Sequence, residues 1–356
     1  MYVKAISTHS VLYFCDELVL PRGHCQEQAM NLPADQSAVV ERWADASRYD
    51  PPAQARRKVG IVHFPKDAMS WIMAARPRTL ALSMTPVCVG TALAYATAVQ
   101  IRWPAVFAAL LGSILIQIGT NLHNDASDSE KGGDGPDRIG PMRVTSSGLL
   151  SVVTVKRGAI LLFAGAALIG LYLVAVGGWP ILLLGLASIG AGWAYTGGPR
   201  PIAYTPFGEL VVVAFFGLGA VCGTYWLSAA SLSVAAAEAG LMLGVFAAAI
   251  LLVNNHRDVA EDRRVGRRTL AIVAGPHLTV AIYATLVLSP FALLPLLRSA
   301  TTHGLVWLPL AALPAAVALA RDLANEPSGR GLNVMLFRTV QLQVLFTALL
   351  CVGLIA

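Results

Sequence analysis

Residues 120–134 read TNLHNDASDSEKGGD, and they follow an apolar run that begins near residue 104. A second polar run, NNHRDVAED at residues 254–262, also follows an apolar segment. The chain has 20 acidic residues in all, and four of them lie in 125–134 and three in 258–262. Acids at membrane depth usually serve a function, so these two runs, called here the first and second polar runs, are the first candidates for a site.

The composition indicates a membrane protein. Hydrophobic residues make up 56% of the chain and charged residues 13%, with a mean hydropathy of +0.64, whereas soluble domains carry about 25% charged residues. A bilayer-spanning helix needs roughly 20 mostly apolar residues, and such runs follow one another from Thr79 onward. We therefore expect an all-α, polytopic membrane protein with about nine transmembrane helices. Their approximate limits are 79–99, 104–122, 158–178, 179–195, 208–230, 236–256, 274–297, 304–322 and 338–356.

The N-terminal region differs from the rest of the chain. Residues 1–65 hold seven basic and seven acidic residues and show neither a helical nor an alternating period. Their longest apolar stretch is too short for the core of a signal peptide. We predict a poorly ordered cytosolic extension over residues 1–68, with Met69 as a candidate alternative start, and a transmembrane domain over residues 69–356.

The formal net charge of +6 comes from basic residues in short loops between the apolar runs. With the N-terminus in the cytosol, the predicted outer loops carry only Arg102 and Arg298, and all other loop cations are cytosolic. This bias predicts that both polar runs face the cytoplasm from the cell's inner membrane. It explains the basic chain without nucleic acid, so no nucleic-acid partner is expected. An interfacial helix over residues 67–79 is expected to bury Trp71 and expose its arginines.

The acidic residues are spaced for a shared ligand. Asp125 and Asp128 lie three residues apart, and Asp258 and Asp262 lie four apart, so each pair shares one helix face. Carboxylates suit Mg²⁺, which keeps several waters and takes phosphate oxygens from a substrate. Two facing pairs therefore predict a diphosphate held through Mg²⁺. The cations that could bind its oxygens are Lys131, Arg138, Arg143, Arg257, Arg267 and Arg268.

The loop YTGGPRPIAY at residues 195–204 allows two interpretations. Its glycines and prolines indicate a turn, which can be a simple connector. Alternatively, the loop brings a polar set to the same cavity as the acids: Tyr195, Arg200, Tyr204 and Glu209. His123 and His256, beside the polar runs, are expected to form hydrogen bonds at the membrane interface.

Three motifs resemble those of the UbiA-type membrane prenyltransferases. They are Asn121-x-x-x-Asp125-x-x-Asp128, Asp134-x-x-Asp137-Arg138-Ile139-Gly140-Pro141 and Asn255-x-Arg257-Asp258-x-x-x-Asp262. The segments ARPRTL at 75–80, YTGGP at 195–199 and GRRTL at 266–270 are similar to the branch that prenylates 1,4-dihydroxy-2-naphthoate in menaquinone biosynthesis. The resemblance covers residues 69–356.

The resemblance implies an all-helical, nine-span bundle around a cavity open to the cytosol. It places Asn121, Asp125, Asp128, Asp258 and Asp262 in a Mg²⁺–diphosphate site; we add Asp134 as a metal ligand and take the other four aspartates as catalytic. The predicted diphosphate-binding residues are Asn121, Asn124, Lys131, Arg138, Arg143, Arg257 and Arg267. At Arg267 the family often has lysine, and the two cations bind phosphate with different geometry.

The implied reaction is the transfer of a polyprenyl group from polyprenyl diphosphate to an aromatic quinone precursor within the lipid membrane. With 1,4-dihydroxy-2-naphthoate as acceptor, the ring carboxylate is lost as CO₂ and demethylmenaquinone forms. Four aromatic residues either shield the allyl cation or simply pack: Phe215, Phe216, Tyr225 and Trp226. Another acceptor, such as 4-hydroxybenzoate or homogentisate, is one alternative. A transporter with two pseudo-symmetric halves is the other. The sequence leaves protein partners open.

Overall fold

A computed structural model describes residues 66–97, 99–132, 138–297, 304–325 and 329–356. Within these ranges the regular structure is helical and includes no strand, so the predicted all-α class is confirmed. Residues 1–65, which form almost all of the predicted extension, lie outside the described residues, as does Asp134. The disorder of the extension and the metal role of Asp134 therefore stay predictions.

The described residues form eleven α-helices, numbered here in chain order. They are α1 (Lys66–Ala75), α2 (Ala81–Ala96), α3 (Trp103–Glu130), α4 (Val152–Gly177), α5 (Trp179–Ala194), α6 (Gly208–Ala229), α7 (Val234–Arg257), α8 (Val259–Arg264), α9 (Leu270–Leu297), α10 (Leu313–Asn325) and α11 (Gly329–Ile355). Three 3₁₀ segments join them: Pro77–Thr79, Ile202–Tyr204 and Gly304–Ala312.

Seven segments among the described residues are long and apolar enough to cross a bilayer: α3, α4, α6, α7, α9, α11 and Leu305–Asn325. An eighth arises if Ala68–Thr79 and Ala81–Ala96, bent by 48°, form one span. Helix α5 is apolar but has only 16 residues. The nine predicted spans thus correspond to seven long helices, one bent pair and one short helix, and the chain is an integral membrane protein.

Several helices extend beyond their predicted limits; α11, for example, begins at Gly329 and not at residue 338. Helix α3 runs to Glu130, and only Gly132 (φ 68°) turns the chain away, so the acids of the first polar run are helical. Helix α4 begins at Val152 because the Ser151 hydroxyl accepts from the Thr154 N–H at 3.1 Å, which satisfies a free N–H of the first turn. Because α3 runs to Glu130, residues 120–130 of the first polar run are part of a helix.

Helix α7 is the centre of the bundle. It packs against α2, α6, α9 and α11, and it is buried around most of its circumference, as expected for a helix with no polar face. Phe246 of α7 meets Phe291 of α9 and Phe346 of α11 edge to face, with ring centroids 5.1–6.2 Å apart. In lipid, helices associate through close packing and not through burial from water, and each edge-to-face contact contributes about 0.5–1.5 kcal/mol. The second polar run therefore begins at the end of a firmly packed helix.

Helix α6 changes its winding in the middle. Val213–Gly219 forms a π-helical segment, a local widening that often accompanies functional sites. Here Gly217 lies against Gly240 and Gly244 of α7, where a Cβ on Gly217 would come within 2.6 Å of the Gly244 Cα. The absence of side chains at this crossing lets the two helices approach closely.

Candidate active site

One cavity of about 480 Å³ lies among α2, α3, α4, α5, α6 and α7. Most of its lining is apolar, including Leu82, Ile116, Leu184 and Leu251. Its charged residues and asparagines gather near the ends of α3 and α7: Arg76, Asn121, Asn124, Asp128, Arg143, Asn254, Asn255 and Arg267. A cavity that is charged at one end and apolar elsewhere fits a molecule with an ionic head and a hydrocarbon tail.

Asp128 is the carboxylate on which two guanidinium groups converge. Arg143 Nη2 donates to its Oδ2 at 2.6 Å, and Arg267 Nη2 donates to its Oδ1. Because Asp128 is only 2% exposed, this pairing offsets the cost of burying its charge. All three side chains line the cavity, so an incoming ligand meets a carboxylate between two cations.

Asp125 has a different environment. Its carboxylate accepts hydrogen bonds from the N–H groups of Val144 and Thr145 at 3.2 and 3.0 Å, and from the Thr145 hydroxyl at 2.5 Å. These bonds fix the turn whose first residue, Arg143, reaches Asp128. Among the described residues, those lining the cavity do not include Asp125, and its metal role stays a prediction.

Arg257 and Asp258 form a bidentate ion pair at the end of α7. Arg257 Nε and Nη2 each donate to an Asp258 oxygen at 2.7 Å. The same guanidinium donates at 2.8 Å to Asn254 and to Asn333 of α11, and Asn333 Nδ2 donates to the Ile139 carbonyl at 3.0 Å. The pair thus ties α7 to α11 and to the segment after α3. The predicted diphosphate and metal roles of these two residues stay predictions.

Arg267 joins the two polar runs. Helix α8 is followed by Gly266 in the left-handed region (φ 76°), which lets the Arg267 N–H return to the Asp262 carbonyl at 2.9 Å. Arg267 Nη1 also donates to Asp262 Oδ1 at 3.0 Å, while Nη2 contacts Asp128. One guanidinium therefore holds an acid from each run. Burial raises the pKa of Asp262 to about 6, although Arg267 opposes the shift.

The loop after α5 folds against the first polar run. The Ala203 N–H donates to the Tyr195 carbonyl at 2.8 Å and closes the loop. The Thr196 hydroxyl donates to Asn124 Oδ1 at 2.6 Å, and Lys131 Nζ donates to the Thr196 carbonyl at 2.6 Å. Burial lowers the pKa of Lys131, and Asp128 opposes that shift. The loop thus holds Asn124 and Lys131 in place and is more than a connector.

The four loop residues predicted to share the cavity differ in how close they lie to it. Tyr195 lines it, and the Tyr204 ring contacts Arg267, whose Cζ lies 5.1 Å from the ring centroid. Glu209 is buried and accepts from Asn255, a lining residue, at 2.9 Å. Arg200 is exposed to solvent.

The remaining predicted cations lie at the rim. Arg138 pairs with Glu261 at 3.3 Å, and Arg268 is exposed.

His123 is buried and stacks on Trp193 with ring centroids 4.1 Å apart. His256 is half-buried.

The aromatic residues predicted for the cavity wall fall into two pairs. Phe215 and Phe216, both in the π-helical segment, line the cavity. Tyr225 is buried with its hydroxyl 3.3 Å from that of Thr97, and the Trp226 indole N–H donates to the Gly177 carbonyl. Among the described residues, the lining contains the first pair and not the second.

The expected exposure of the arginines near residue 77 is wrong for one of them. Arg78 is exposed, but Arg76 is only partly so and lines the cavity. Arg76 adopts a left-handed backbone conformation (φ 53°) between α1 and the 3₁₀ turn that begins at Pro77. The turn breaks the amphipathic helix, so the two arginines leave it in different directions. Arg76 is a site residue that the sequence pattern did not reveal.

The polar end has a donor set that fits Mg²⁺. The described residues hold no group of three or more His, Cys, Asp or Glu placed to share a metal ion. Mg²⁺, however, binds proteins through one or two carboxylates and fills its other positions with water and substrate phosphate. Asp128 and Asp262, which flank one guanidinium, are the two carboxylates predicted for such an ion. Asp128 lines the cavity, and Asp262 is not among the described lining residues, so their metal role stays a prediction.

An apolar cavity with carboxylates and cations at one end, inside a bundle of membrane-spanning helices, defines a class of integral membrane protein that holds an amphipathic molecule by an anionic head group. The chain belongs to the UbiA prenyltransferase family, whose model matches residues 83–339. The resemblance found in the sequence motifs is thereby confirmed, and the chain is a prenyltransferase.

Several bacterial proteins are similar over most of the chain. The 1,4-dihydroxy-2-naphthoate octaprenyltransferase of Escherichia coli (strain K12) is 35% identical over 297 residues, which are 80% of this chain and 94% of that protein. The protein of the same name from Mycobacterium tuberculosis is 34% identical over 286 residues, 80% of this chain and 96% of that protein.

Solved structures share the fold at low sequence identity. A UbiA homolog from Archaeoglobus fulgidus, determined with GPP and Mg²⁺, has a TM-score of 0.56 at 16% identity and covers 80% of this chain and 99% of that one. The apo UbiA homolog from Aeropyrum pernix K1 has a TM-score of 0.62 at 14% identity, covering 78% and 98% of the two chains. The predicted UbiA-like bundle is therefore confirmed.

Proposed function

We propose that the protein transfers a polyprenyl group from polyprenyl diphosphate to 1,4-dihydroxy-2-naphthoate, with loss of the ring carboxylate as CO₂. The immediate product is demethylmenaquinol, because the transfer leaves both ring hydroxyls in place, and demethylmenaquinone forms from it only by a separate two-electron oxidation. The single observation that carries this proposal is the two-part cavity, with cations and carboxylates at one end and an apolar remainder. The names of the bacterial relatives supply the acceptor.

The donor fits the cavity in one orientation. The diphosphate binds at the polar end, where Arg143 and Arg267 already hold a carboxylate and can turn to phosphate oxygens. The hydrocarbon tail lies along the apolar walls of α4, α5 and α6, where burial is favourable. When bound at Asp128 and Asp262, Mg²⁺ supplies charge neutralisation for the leaving diphosphate.

The chain's own residues direct the reaction by charge and by exclusion of water. As the allylic C–O bond breaks, negative charge grows on the diphosphate, and the preorganised cations stabilise it. Phe215 and Phe216 cover the apolar side of the site and keep water from the allyl cation. A ring carbon of the acceptor then forms the new C–C bond, and the carboxylate leaves as CO₂.

The proposed orientation places the polar end at the cytoplasmic face of the cytoplasmic membrane. It is supported by the excess of lysine and arginine in the loops on that side. In this orientation the apolar product stays in the lipid.

The experiment is a transfer assay with the purified protein in detergent, radiolabelled polyprenyl diphosphate and Mg²⁺. 1,4-Dihydroxy-2-naphthoate and 4-hydroxybenzoate are offered separately, and products are identified by mass spectrometry. We expect a prenylated, decarboxylated product from the naphthoate alone. Transfer to 4-hydroxybenzoate alone would keep the chemistry and overturn the acceptor, and transfer to neither would overturn the proposal.

A further inference from the structure

Tyr204 lies at a junction of three parts of the site. It ends the 3₁₀ turn Ile202–Tyr204 in the loop after α5. Its carbonyl accepts from the Arg268 N–H at 3.2 Å, which joins this loop to the turn after α8. Its side chain reaches the cations that flank the first polar run. The backbone of Tyr204 is therefore anchored to the turn after α8, and its ring contacts the cations.

The Tyr204 ring contacts two cations at once. Lys131 Nζ lies 5.0 Å from the ring centroid, and Arg267 Cζ lies 5.1 Å from it. Both distances are within the range at which the negative face of an aromatic ring attracts a cation. Lys131 comes from the end of α3 and Arg267 from the segment before α9, so the ring is a common support for cations that are 136 positions apart in the chain.

The two cations need such a support. They lie close enough for each positive charge to disfavour the other, and Arg267 contributes to the lowered pKa of Lys131. Lys131 Nζ donates to the Thr196 carbonyl and lies over the ring, while the carboxylates of Asp128 and Glu130 partly compensate its charge. The electron-rich ring reduces the repulsion between them. Lys131 Nζ donates one hydrogen bond to the Thr196 carbonyl, and an ammonium group has three donors, so it can also bind an anion.

We propose that Tyr204 is a positioning residue that holds Lys131 and Arg267 together as one binding pair for the diphosphate of the donor. This inference rests on the proposed function, because it takes the anion to be a diphosphate. The ring acts through the two cations and does not touch the reacting atoms. Its ring contacts both cations, and its hydroxyl adds a hydrogen bond with Arg267.

The test measures binding of inorganic pyrophosphate with MgCl₂ to the full-length protein in detergent by isothermal titration calorimetry. Tyr204→Leu removes the ring, and we expect the Kd to rise by about 10-fold, as two partly buried cation–π contacts suggest. Tyr204→Phe keeps the ring and removes only the hydroxyl that bonds Arg267, so its Kd is expected to rise clearly less than that of Tyr204→Leu. Phe207→Leu is the matched control, because Phe207 is an aromatic residue of the same loop that is 60% exposed.

Kinetics provide a second readout that general damage to the fold does not mimic. Tyr204→Leu is expected to raise the KM for polyprenyl diphosphate by about the same factor as the Kd, with a smaller change in kcat. If Tyr204→Leu fails to fold, Tyr204→Gln replaces it as a variant without a ring. Adding Lys131→Met to the ringless variant is expected to weaken binding less than Lys131→Met does in wild type.

The outcomes separate this inference from the proposed function. If wild type binds pyrophosphate and the ringless variants bind it equally well, the role of Tyr204 is overturned and the function stands. If Tyr204→Phe weakens binding as much as Tyr204→Leu, the ring face is not the active feature and the inference is again overturned. Failure of wild type to bind pyrophosphate with Mg²⁺ overturns both.

Discussion

Asp128 is the residue through which the polar end of the cavity is organised, since it holds Arg143 and Arg267 together. Asp128→Asn removes the charge that both guanidiniums share and a predicted ligand of Mg²⁺. We expect prenyl transfer to fall by at least about 100-fold, the scale of losing one preorganised charge contact. Steady-state transfer by the purified variant measures this.

Glu130→Gln is the control for Asp128→Asn. Glu130 lies two residues further along α3, but its side chain is 47% exposed and pairs with Lys156. A surface pair of this kind contributes little, so near-wild-type transfer is expected. Equal loss of activity in both variants would contradict the assignment of Asp128.

Arg267 is expected to tolerate lysine better than a neutral residue. Its planar guanidinium reaches Asp128 and Asp262 at once, whereas an ammonium group is a point charge without that fork. Arg267→Lys is predicted to raise the KM for polyprenyl diphosphate by about 10-fold, and Arg267→Met by more. An unchanged KM in Arg267→Met would remove Arg267 from the diphosphate site.

The sequence predicts the residue types of the site better than their partners. Spacing placed Asp128 and Asp262 among the candidates because helical periodicity puts each on a face with another acid. Their common partner, Arg267, lies 139 positions after Asp128, and no local period encodes that contact. The same reason explains Arg76, whose position depends on a turn that breaks its helix.

At the scale of elements, Asp125 holds the turn between α3 and α4. Asp125→Ala removes the acceptor for the N–H groups of Val144 and Thr145. We predict faster hydrogen exchange of these two amides and loss of transfer, because Arg143 is carried by the same turn. Hydrogen–deuterium exchange with mass spectrometry measures the first effect. Unchanged protection of peptides covering residues 143–147 would show that Asp125 does not hold the turn.

The crossing of α6 and α7 depends on glycine. A methyl group at Gly217 would lie 2.6 Å from the Gly244 Cα, so Gly217→Ala forces the helices apart at a cost of about 1–3 kcal/mol. We expect a lower Tm in detergent. Gly190→Ala is the control, since a Cβ at Gly190 meets no atom within 4 Å, and its Tm should not fall. A Tm for Gly217→Ala equal to that of the control would contradict the close packing.

Elements differ in how far the sequence predicts them. The spans are readable because a backbone in lipid must satisfy its hydrogen bonds within each helix, which leaves long apolar runs as a clear signal. The π-helical segment Val213–Gly219 is not readable, because it is apolar throughout and widens through its packing on α7. Helix α3 continues past its predicted end because the carboxylates of Asp125 and Asp128 are hydrogen-bonded by side chains and N–H groups outside the helix and cause no break.

At the scale of the whole molecule, the fold separates a rigid part from a site-bearing part. Helices α7, α9 and α11 form an interlocked aromatic core, while α3 to α6 contribute much of the cavity wall. The charged end lies where α3 and α7 finish, so the packed core fixes one side of the site. Hydropathy predicts the apolar segments, of which seven, or eight with the bent pair, are long enough to span a bilayer among the described residues. The shape of the cavity follows from which helices touch.

The most direct test is the Mg²⁺ dependence of prenyl transfer by the full-length protein in detergent, without any ion gradient. Polyprenyl diphosphate and 1,4-dihydroxy-2-naphthoate are supplied, and product is measured in EDTA and after stepwise addition of Mg²⁺. We predict no product in EDTA and saturable recovery with Mg²⁺, because the leaving diphosphate must be neutralised at Asp128 and Asp262. Product formation that EDTA does not affect, or none at any Mg²⁺ concentration, would contradict the proposed metal-assisted transfer.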